Sequence, residues 1–306
     1  MGDEHLSSVA SQKISEWLRT LFEPGQVIEL RGIRHNGGSL SGIYDFEQFG
    51  IMAMNGMEAT LSGNFKGVYY TLNPLKQESL ATASRIRPHS ASDIDVLCRR
   101  WLLIDVDPKR PSGHSATDEE KANAKAKIVA IRDHLRHQNW PEPVFADSGN
   151  GFHLLYRIDL PADDGGLVKK VLGVLADLFD NEHVEVDRKV FNPSRITKLY
   201  GTKACKGPDI PERPHRWTSI IEIPGEPQIA SKELLESLVS TKPAVSKPST
   251  QNEGHDAAPV TAAPSSATST QKQNQARAYL AKIPGAIEGQ DGDKQTFKGL
   301  FVTLCG

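Results

Sequence analysis

The sequence predicts an α+β protein organised around an antiparallel sheet, and three observations carry that reading. Short stretches rich in Val, Ile, Leu and aromatics, bounded by Gly, Pro and Asn, interleave with amphipathic stretches of helical period. Between about residues 96 and 224 these run strand–helix–strand–strand–helix–strand, the order of ferredoxin-like and RNA-recognition-type sheets, with helices on one face and the other face free. The pattern then stops: residues 241–273 contain no Leu, Ile, Met or aromatic residue.

Taken in order, residues 5–22 form an amphipathic helix through Leu6, Val9, Trp17, Leu18, Leu21 and Phe22, ended by Pro24-Gly25. Strands are expected at "QVIELRGIR" (26–34), "SGIYDF" (41–46), "GVYYTLN" (67–73) and "RRWLLIDVD" (99–107). Thr117 and Glu120 make a capping box for a helix running to about His137, with Ala124, Ile128, Ile131 and Leu135 inward. "PVFADSGNGFHLLYRIDL" (143–160) reads as strand, glycine turn, strand, and 166–180 as a second helix. "VEVDRKVF" and "TKLYGT" are short strands flanking a turn at Asn192-Pro193-Ser194. "WTSIIEIP" (217–224) is a further strand, and Ser231 caps a short helix to about Val239. Residues 1–240 are thus one expected domain. Residues 241–273 are an expected disordered linker, too poor in apolar residues to offset ordering entropy. From 274 to 306 helical periodicity returns and stops in mid-pattern, as at the start of a C-terminal helical domain.

Composition narrows the function classes. No run of about 18 apolar residues predicts a membrane span. The acidic "MGDEHLSS" start is unlike a signal peptide, and the scattered Cys98, Cys205 and Cys305 form no CxxC pair, so a reducing, cytoplasmic setting is expected. No P-loop and no 20–50-residue repeat is present. The net charge of −2 hides a local excess: Arg188 to Arg216 holds eight Lys/Arg against Asp209 and Glu212. Such a patch can hold phosphates, though a solvated basic loop reads the same way.

The chemistry-bearing stretch is "RRWLLIDVDPKRP", where an apolar strand ends in two carboxylates. Residues two apart share a strand face, so Asp105 and Asp107 point one way and Ile104 and Val106 the other. Paired carboxylates repel unless a cation lies between them, and Mg²⁺ suits one or two carboxylates plus substrate phosphates. In "DSGNGFHLLYR", Gly149 and Gly151 permit a tight turn with free N–H groups, and Ser148 and His153 can donate to a phosphate. In "VEVDRKVFNPSR", Asp187 adds a third carboxylate and Arg195 a bidentate phosphate partner. Lys198, Lys203 and Lys206 supply point charges for polyphosphate or template contacts. Each stretch alone also has a bland reading: solvated strand-end acids, a glycine hairpin with a structural histidine, or an Asp187–Arg188 surface pair.

Together, "IDVD", "SGNGFH" and "VDRKVFNPSRITKLYGT" resemble the archaeo-eukaryotic primase superfamily, in particular its primase-polymerases of phage, plasmid and CRISPR-associated type. The resemblance spans about 26–224 and includes "VIELRGIR" and "GVYYTLNP"; the family's Ser-x-His is replaced by Ser148-Gly-Asn-Gly-Phe-His153. It implies an N-terminal α/β module packed on an RNA-recognition-like module, with the active site in the cleft between them. It further implies template-directed nucleotidyl transfer, with Asp105, Asp107 and Asp187 holding two Mg²⁺ or Mn²⁺ ions. Ser148, Gly149, Gly151, His153, Arg195, Lys198 and Asn73 would contact the nucleotide. Arg31, Lys203 and Lys206 would contact nucleic acid. The implied partners are a single-stranded DNA template, a primer strand and dNTP or NTP, with no membrane and with replication or CRISPR-adaptation proteins as candidates. A non-catalytic replication initiator and a two-metal nuclease are the alternatives; a relaxase is disfavoured because no His-x-His pair occurs.

Overall fold

A computed structural model describes residues 2–82 and 90–240, with side chains from 8–80 and 90–240. The expected linker and the segment from 274 lie outside the described residues. Among the described residues no helix is long and apolar enough to cross a membrane.

The chain begins with α1 (Gly2–Leu21), β1 (Val27–Arg34), β2 (Ser39–Asp45), α2 (Phe49–Leu61) and β3 (Phe65–Thr71). The burial of Ile14, Leu18 and Leu21 on α1 and of Phe49, Met52, Ala53, Gly56 and Met57 on α2 follows helical period. No helix is expected from sequence over 49–61, yet that stripe is present in it. Gly56 is where α2 meets Leu199, whose side chain occupies the space a Cβ would need.

After a connection with 3₁₀ segments at Gln77–Thr82 and Asp93–Asp95 come β4 (Cys98–Pro108), α3 (Asp118–His137), β5 (Val144–Asp147), β6 (Phe152–Pro161), α4 (Leu167–Phe179) and β7 (Val184–Val186). The capping box opening α3 forms as expected: Thr117 Oγ1 accepts from Glu120 N at 3.1 Å, and Glu120 Oε2 accepts from Thr117 N at 2.9 Å. The chain ends its described part with β8 (Ile196–Lys198), β9 (Lys203–Ala204), β10 (Arg216–Trp217), β11 (Ser219–Glu222) and α5 (Lys232–Ser240).

Two larger sheets result. One has the order β2-β1-β3-β8, the other β11-β5-β6-β4-β7, and every pairing is antiparallel. In the five-stranded sheet, Leu102, Ile104, Val106, Leu154, Tyr156 and Val186 share one buried face against α3 and α4. The opposite face is closed at the Trp101 end, where the indole donates to Leu21 O of α1 at 3.2 Å.

Two expectations change. "TKLYGT" contributes only β8, and β8 joins the N-terminal sheet beside β3, with Thr197 opposite Tyr70. "WTSIIEIP" is split at Thr218, whose N–H and hydroxyl both bond Thr202 O, at 2.9 and 2.8 Å. At Thr218 the chain changes partner, from β9, where Trp217 lies opposite Lys203, to β5, where Ser219 lies opposite Asp147.

Candidate carboxylate site

Ile104 and Val106 are fully buried while Asp105 and Asp107, between and beyond them, are only partly so, as strand alternation requires. The neighbouring strands complete the arrangement. On one side Asp105 is the register partner of His153 on β6. On the other, β4 and β7 pair Asp107 with Glu185 and Val106 with Val186. One step further along the antiparallel register sets Asp187 opposite Asp105, and Asp187 N donates to Asp105 O at 2.9 Å. His153, Asp105 and Asp187 therefore form a row across β6, β4 and β7, with Asp107 and Glu185 in the next row of the same face.

His153 is 4% exposed and held from both sides. Its Nδ1 lies 2.7 Å from the Tyr200 hydroxyl and 3.3 Å from Thr197 Oγ1. Its Nε2 lies 3.4 Å from Asp105 Oδ1, an ion-pair distance without hydrogen-bond geometry, so that buried oxygen is otherwise unpartnered. Burial pushes the Tyr200 phenol well above its ordinary pKa, and the Asp105 charge adds to this against a Thr197 hydrogen bond. A neutral Tyr200 donating to Nδ1 leaves the ring proton on Nε2, facing Asp105.

Burial, and then the Asp105 charge, hold the Asp107 carboxyl above the usual carboxylate range. The opposing pull comes from Arg110, whose Nη2 is 3.3 Å from Asp107 Oδ2, and from Lys206. Asp187 Oδ1 accepts from Lys189 N at 2.8 Å.

The glycine turn differs from expectation. The N–H groups of Gly149 and Gly151 are not free: Asp147 Oδ1 takes the first at 2.7 Å and Ser148 Oγ the second at 3.1 Å. Lys121 in turn pairs with Asp147 at 2.6 Å. Gly149 has φ +94°, and a Cβ there would lie 2.6 Å from Ala204 Cβ. A Cβ on Gly151 would strike Val106 O and come within 2.7 Å of Asp107 Oδ1, so the glycine brings β6 close against the carboxylate strand. The turn is self-satisfied, an Asx-type device.

Two other expected contacts are committed to the fold. Asn73 is 2% exposed; its Oδ1 accepts from Arg100 N and Trp101 N at 2.8 and 3.1 Å, and its amide donates to Pro193 O at 3.0 Å. It clamps the start of β4 to the 192–195 turn rather than facing the carboxylates. Arg31 forks onto the buried Glu29, at 2.6 Å, and donates to Ala91 O at 3.2 Å.

Half of the eight Lys/Arg of the basic stretch are paired with acids, most of them brought from other elements by folding. Arg188 pairs with Asp177 and Asp180, Arg213 with Glu120, Arg216 with Asp118, and Lys203 with Asp209. Arg195 keeps no carboxylate partner among the described residues; it donates to Lys189 O, and its Nε is buried without a partner. Lys189 thus ties Asp187 and Arg195 to one loop. Lys198 leaves β8 on the face opposite Thr197, with its ammonium 4.3 Å from the centre of the Tyr69 ring. Sequence reasoning missed Tyr200 and Thr197, because in "TKLYGT" the lysine and the glycine turn carry the signal, and Arg110, whose role depends on the loop after β4.

Among the described residues no group of three His, Cys, Asp or Glu side chains is drawn together closely enough to hold a metal ion. The donor set nevertheless has the chemistry of a hard-cation site: carboxylate oxygens on one face, one of them an orphaned buried Oδ1 and another raised by its like-charged neighbour. A cavity of about 1010 Å³ lies elsewhere, over Gly32, Gly42, Tyr44 and Phe65 of the N-terminal sheet.

No protein-family model matches the chain, and no curated protein matches it. Among solved structures it is similar to one described as "Crystal structure of primase RepB'", with TM-score 0.45 and 15% identity over 76% of this chain and 62% of that one. It is also similar to "Crystal structure of the catalytic domain of primase Repb' in complex with initiator DNA", with TM-score 0.43 and 15% identity over 76% of this chain and 94% of that one. The chain spans about three fifths of the first structure's length.

Proposed function

We propose that this protein is a divalent-metal-dependent nucleotidyltransferase of the primase-polymerase kind, acting on a single-stranded DNA template with nucleoside triphosphates, to start or extend a primer. The observation that carries the reading is the β4–β7 register, which sets Asp187 beside Asp105, residues 82 positions apart by number (187 less 105). We further read the β4-α3-β5-β6-α4-β7 unit, with its strand order β5-β6-β4-β7, as an RNA-recognition-like module with β11 added at one edge.

Asp105, Asp107 and Asp187 would hold Mg²⁺ or Mn²⁺. Bound there, the cations supply activation of the attacking 3′-hydroxyl and charge compensation at the leaving pyrophosphate. The chain's own groups do the rest. His153, whose Nε2 faces the carboxylate row, would donate from that nitrogen to an anionic phosphate oxygen of the substrate. Arg195 presents the remaining donors of its guanidinium to the same phosphates. Ser148, Gly149 and Gly151 shape the turn beside them, and the lack of a side chain at Gly151 leaves room against Asp107. Lys206 adds positive charge near Asp107 for the substrate's own negative charge.

The test is incubation of the protein with unprimed and primed single-stranded DNA, labelled nucleotides and Mg²⁺ or Mn²⁺. Product ladders are expected, absent in the Asp105→Ala/Asp107→Ala double variant. Ladders from the double variant, or shortening of the DNA in place of growth, would contradict the reading.

A further inference from the structure

The two aspartates that end β4 are partnered differently by the fold. Among the described residues no Arg or Lys pairs with Asp105, whose Oδ1 faces His153 without a hydrogen bond. Asp107 has such a partner. Arg110 Nη2 lies 3.3 Å from its Oδ2, while its Oδ1 is the oxygen on the Gly151 side, where a Cβ would come within 2.7 Å of it. One oxygen is engaged, and the other faces the gap that the glycine leaves. The Arg110 side chain is 6% exposed, and the rest of its guanidinium is tied to backbone. Nε donates to His114 O and Nη1 to Pro108 O, both at 3.1 Å. The loop after β4 thus folds around this one side chain, and the planar fork takes its direction from two carbonyls. The loop is itself held from three sides. Lys109 donates from N to His183 O at 2.8 Å and from Nζ to Asn181 O at 2.7 Å, just before β7. Ala116 N donates to Asn150 Oδ1 at 2.8 Å, in the glycine turn. Ser115 Oγ donates to Lys206 O at 2.9 Å, and Arg213 Nη1 donates to Ser115 O at 2.7 Å.

We propose that Arg110 is a positioning residue that sets cation selectivity: by holding Asp107 Oδ2 it leaves Asp107 only Oδ1 for a divalent cation, and so turns the site against ions that use both oxygens of a carboxylate. That a cation binds here rests on the nucleotidyl-transfer reading; which oxygen of Asp107 it can use follows from Arg110. A partner that hydrogen-bonds a ligating carboxylate governs how that carboxylate meets the metal. Ca²⁺ takes about six to eight oxygen ligands and accepts carboxylates through one or both oxygens, whereas Mg²⁺ keeps near-octahedral geometry with one or two carboxylates and several waters. Restricting Asp107 to one oxygen therefore costs Ca²⁺ more than Mg²⁺. The fixed guanidinium charge repels either ion, so the gain lies in discrimination rather than in affinity.

The experiment is competition for Mn²⁺ on the full chain without nucleotide, followed by electron paramagnetic resonance of the free ion. Mg²⁺ and Ca²⁺ are each titrated against bound Mn²⁺, and the ratio of their displacement constants is the readout, because a merely damaged site loses both ions alike. Arg110→Met, which removes the charge and the fork, is expected to shift that ratio toward Ca²⁺ by about five- to tenfold. Arg110→Gln, neutral but with an amide to donate to the loop carbonyls, gives the same shift and serves if the methionine variant does not fold. Arg110→Lys keeps a charge and a donor for Oδ2 and holds the ratio within about twofold of the wild type. The proposal is overturned if both neutral variants leave the ratio unchanged or move it toward Mg²⁺, if Arg110→Lys shifts it as far as they do, or if the wild type binds no Mn²⁺. The expected shift in a protein that makes no product ladders would sink the catalytic reading and leave Arg110 in this role; ladders with an unchanged ratio would do the reverse.

Discussion

Two rows of side chains, each crossing three antiparallel strands, can be set side by side. His153–Asp105–Asp187 crosses β6, β4 and β7, and Arg31–Tyr69–Lys198 crosses β1, β3 and β8. In and beside the first, like charges are neighbours: the Asp107 carboxyl of the next row is raised despite Arg110, and Asp105 Oδ1 has no hydrogen bond. In the second, Arg31 is cancelled internally by Glu29 and the Lys198 ammonium rests on the Tyr69 ring. Both rows belong to stretches that sequence reasoning assigned to a single site. Strand parity separates them, because Thr197 turns toward His153 and Lys198, the next residue, turns away. Uncompensated charge that persists after folding, rather than charge density along the chain, marks where a ligand is needed.

The comparison can be broken most decisively at the carboxylates. Asp105→Ala/Asp107→Ala is expected to lower nucleotide incorporation by at least about a thousandfold, the scale of losing the electrostatic centre of a polar active site, with circular dichroism unchanged. A loss of secondary structure in that variant would make the row structural instead.

Next comes Asn73→Ala. It strands two N–H groups and a carbonyl at the start of β4 and is expected to cost about 3 kcal/mol, or close to 10 °C in Tm for a domain of this size. Incorporation per folded molecule should fall far less than in the carboxylate variant. A stable Asn73→Ala protein with weakened nucleotide binding would return this residue to the site.

Tyr200→Phe sharpens the role of His153. It removes the 2.7 Å partner of Nδ1 and leaves only Thr197, at 3.3 Å, to set the ring tautomer. About a tenfold loss in kcat/KM is expected, as for outer partners that orient a site's histidine. The ¹⁵N shifts of the imidazole should move toward a tautomer mixture; unchanged shifts would contradict the assignment.

The smallest effect concerns pH. The Asp107 carboxyl is raised in the folded state, so the folded protein holds this proton more tightly than the unfolded chain does. Its contribution to stability is complete below the ordinary aspartate value of about 3.9 and is lost as pH climbs through the raised value. At pH 7 the charged form is therefore a liability, discounted because about a third of the side chain faces solvent. Asp107→Asn should raise Tm by about 1–3 °C at pH 7 and change it less near pH 4, read by calorimetry at both values. A drop in Tm at pH 7 would contradict the sign.

Much of the five-stranded sheet was legible because its signals are local. Thr117 and Glu120 fix the start of α3, alternation at Ile104–Asp107 fixes the face of β4, and "SGNG" fixes the β5–β6 turn. What was not legible depends on partners far along the chain. Arg213 and Arg216 meet Glu120 and Asp118 of α3, so a basic stretch in sequence is partly neutralised in space. The three residues of β8 carry too little pattern to reveal that they pair with β3. The helix α2 was readable in its Phe49, Met52, Ala53, Gly56 and Met57 stripe, but its glycines and small residues weaken the propensity signal. The occupied N–H of Gly149 was also foreseeable, since Asp147 two residues earlier is the usual Asx-turn acceptor.

The most direct measurement is titration of the full chain with Mn²⁺, followed by electron paramagnetic resonance of the free ion. Wild-type protein should bind Mn²⁺ without nucleotide or more tightly with it, and Asp187→Asn should lose at least one equivalent, since the account makes Asp187 part of the same site as Asp105 and Asp107. Equal Mn²⁺ stoichiometry and affinity in wild type and Asp187→Asn, with and without nucleotide, would contradict it.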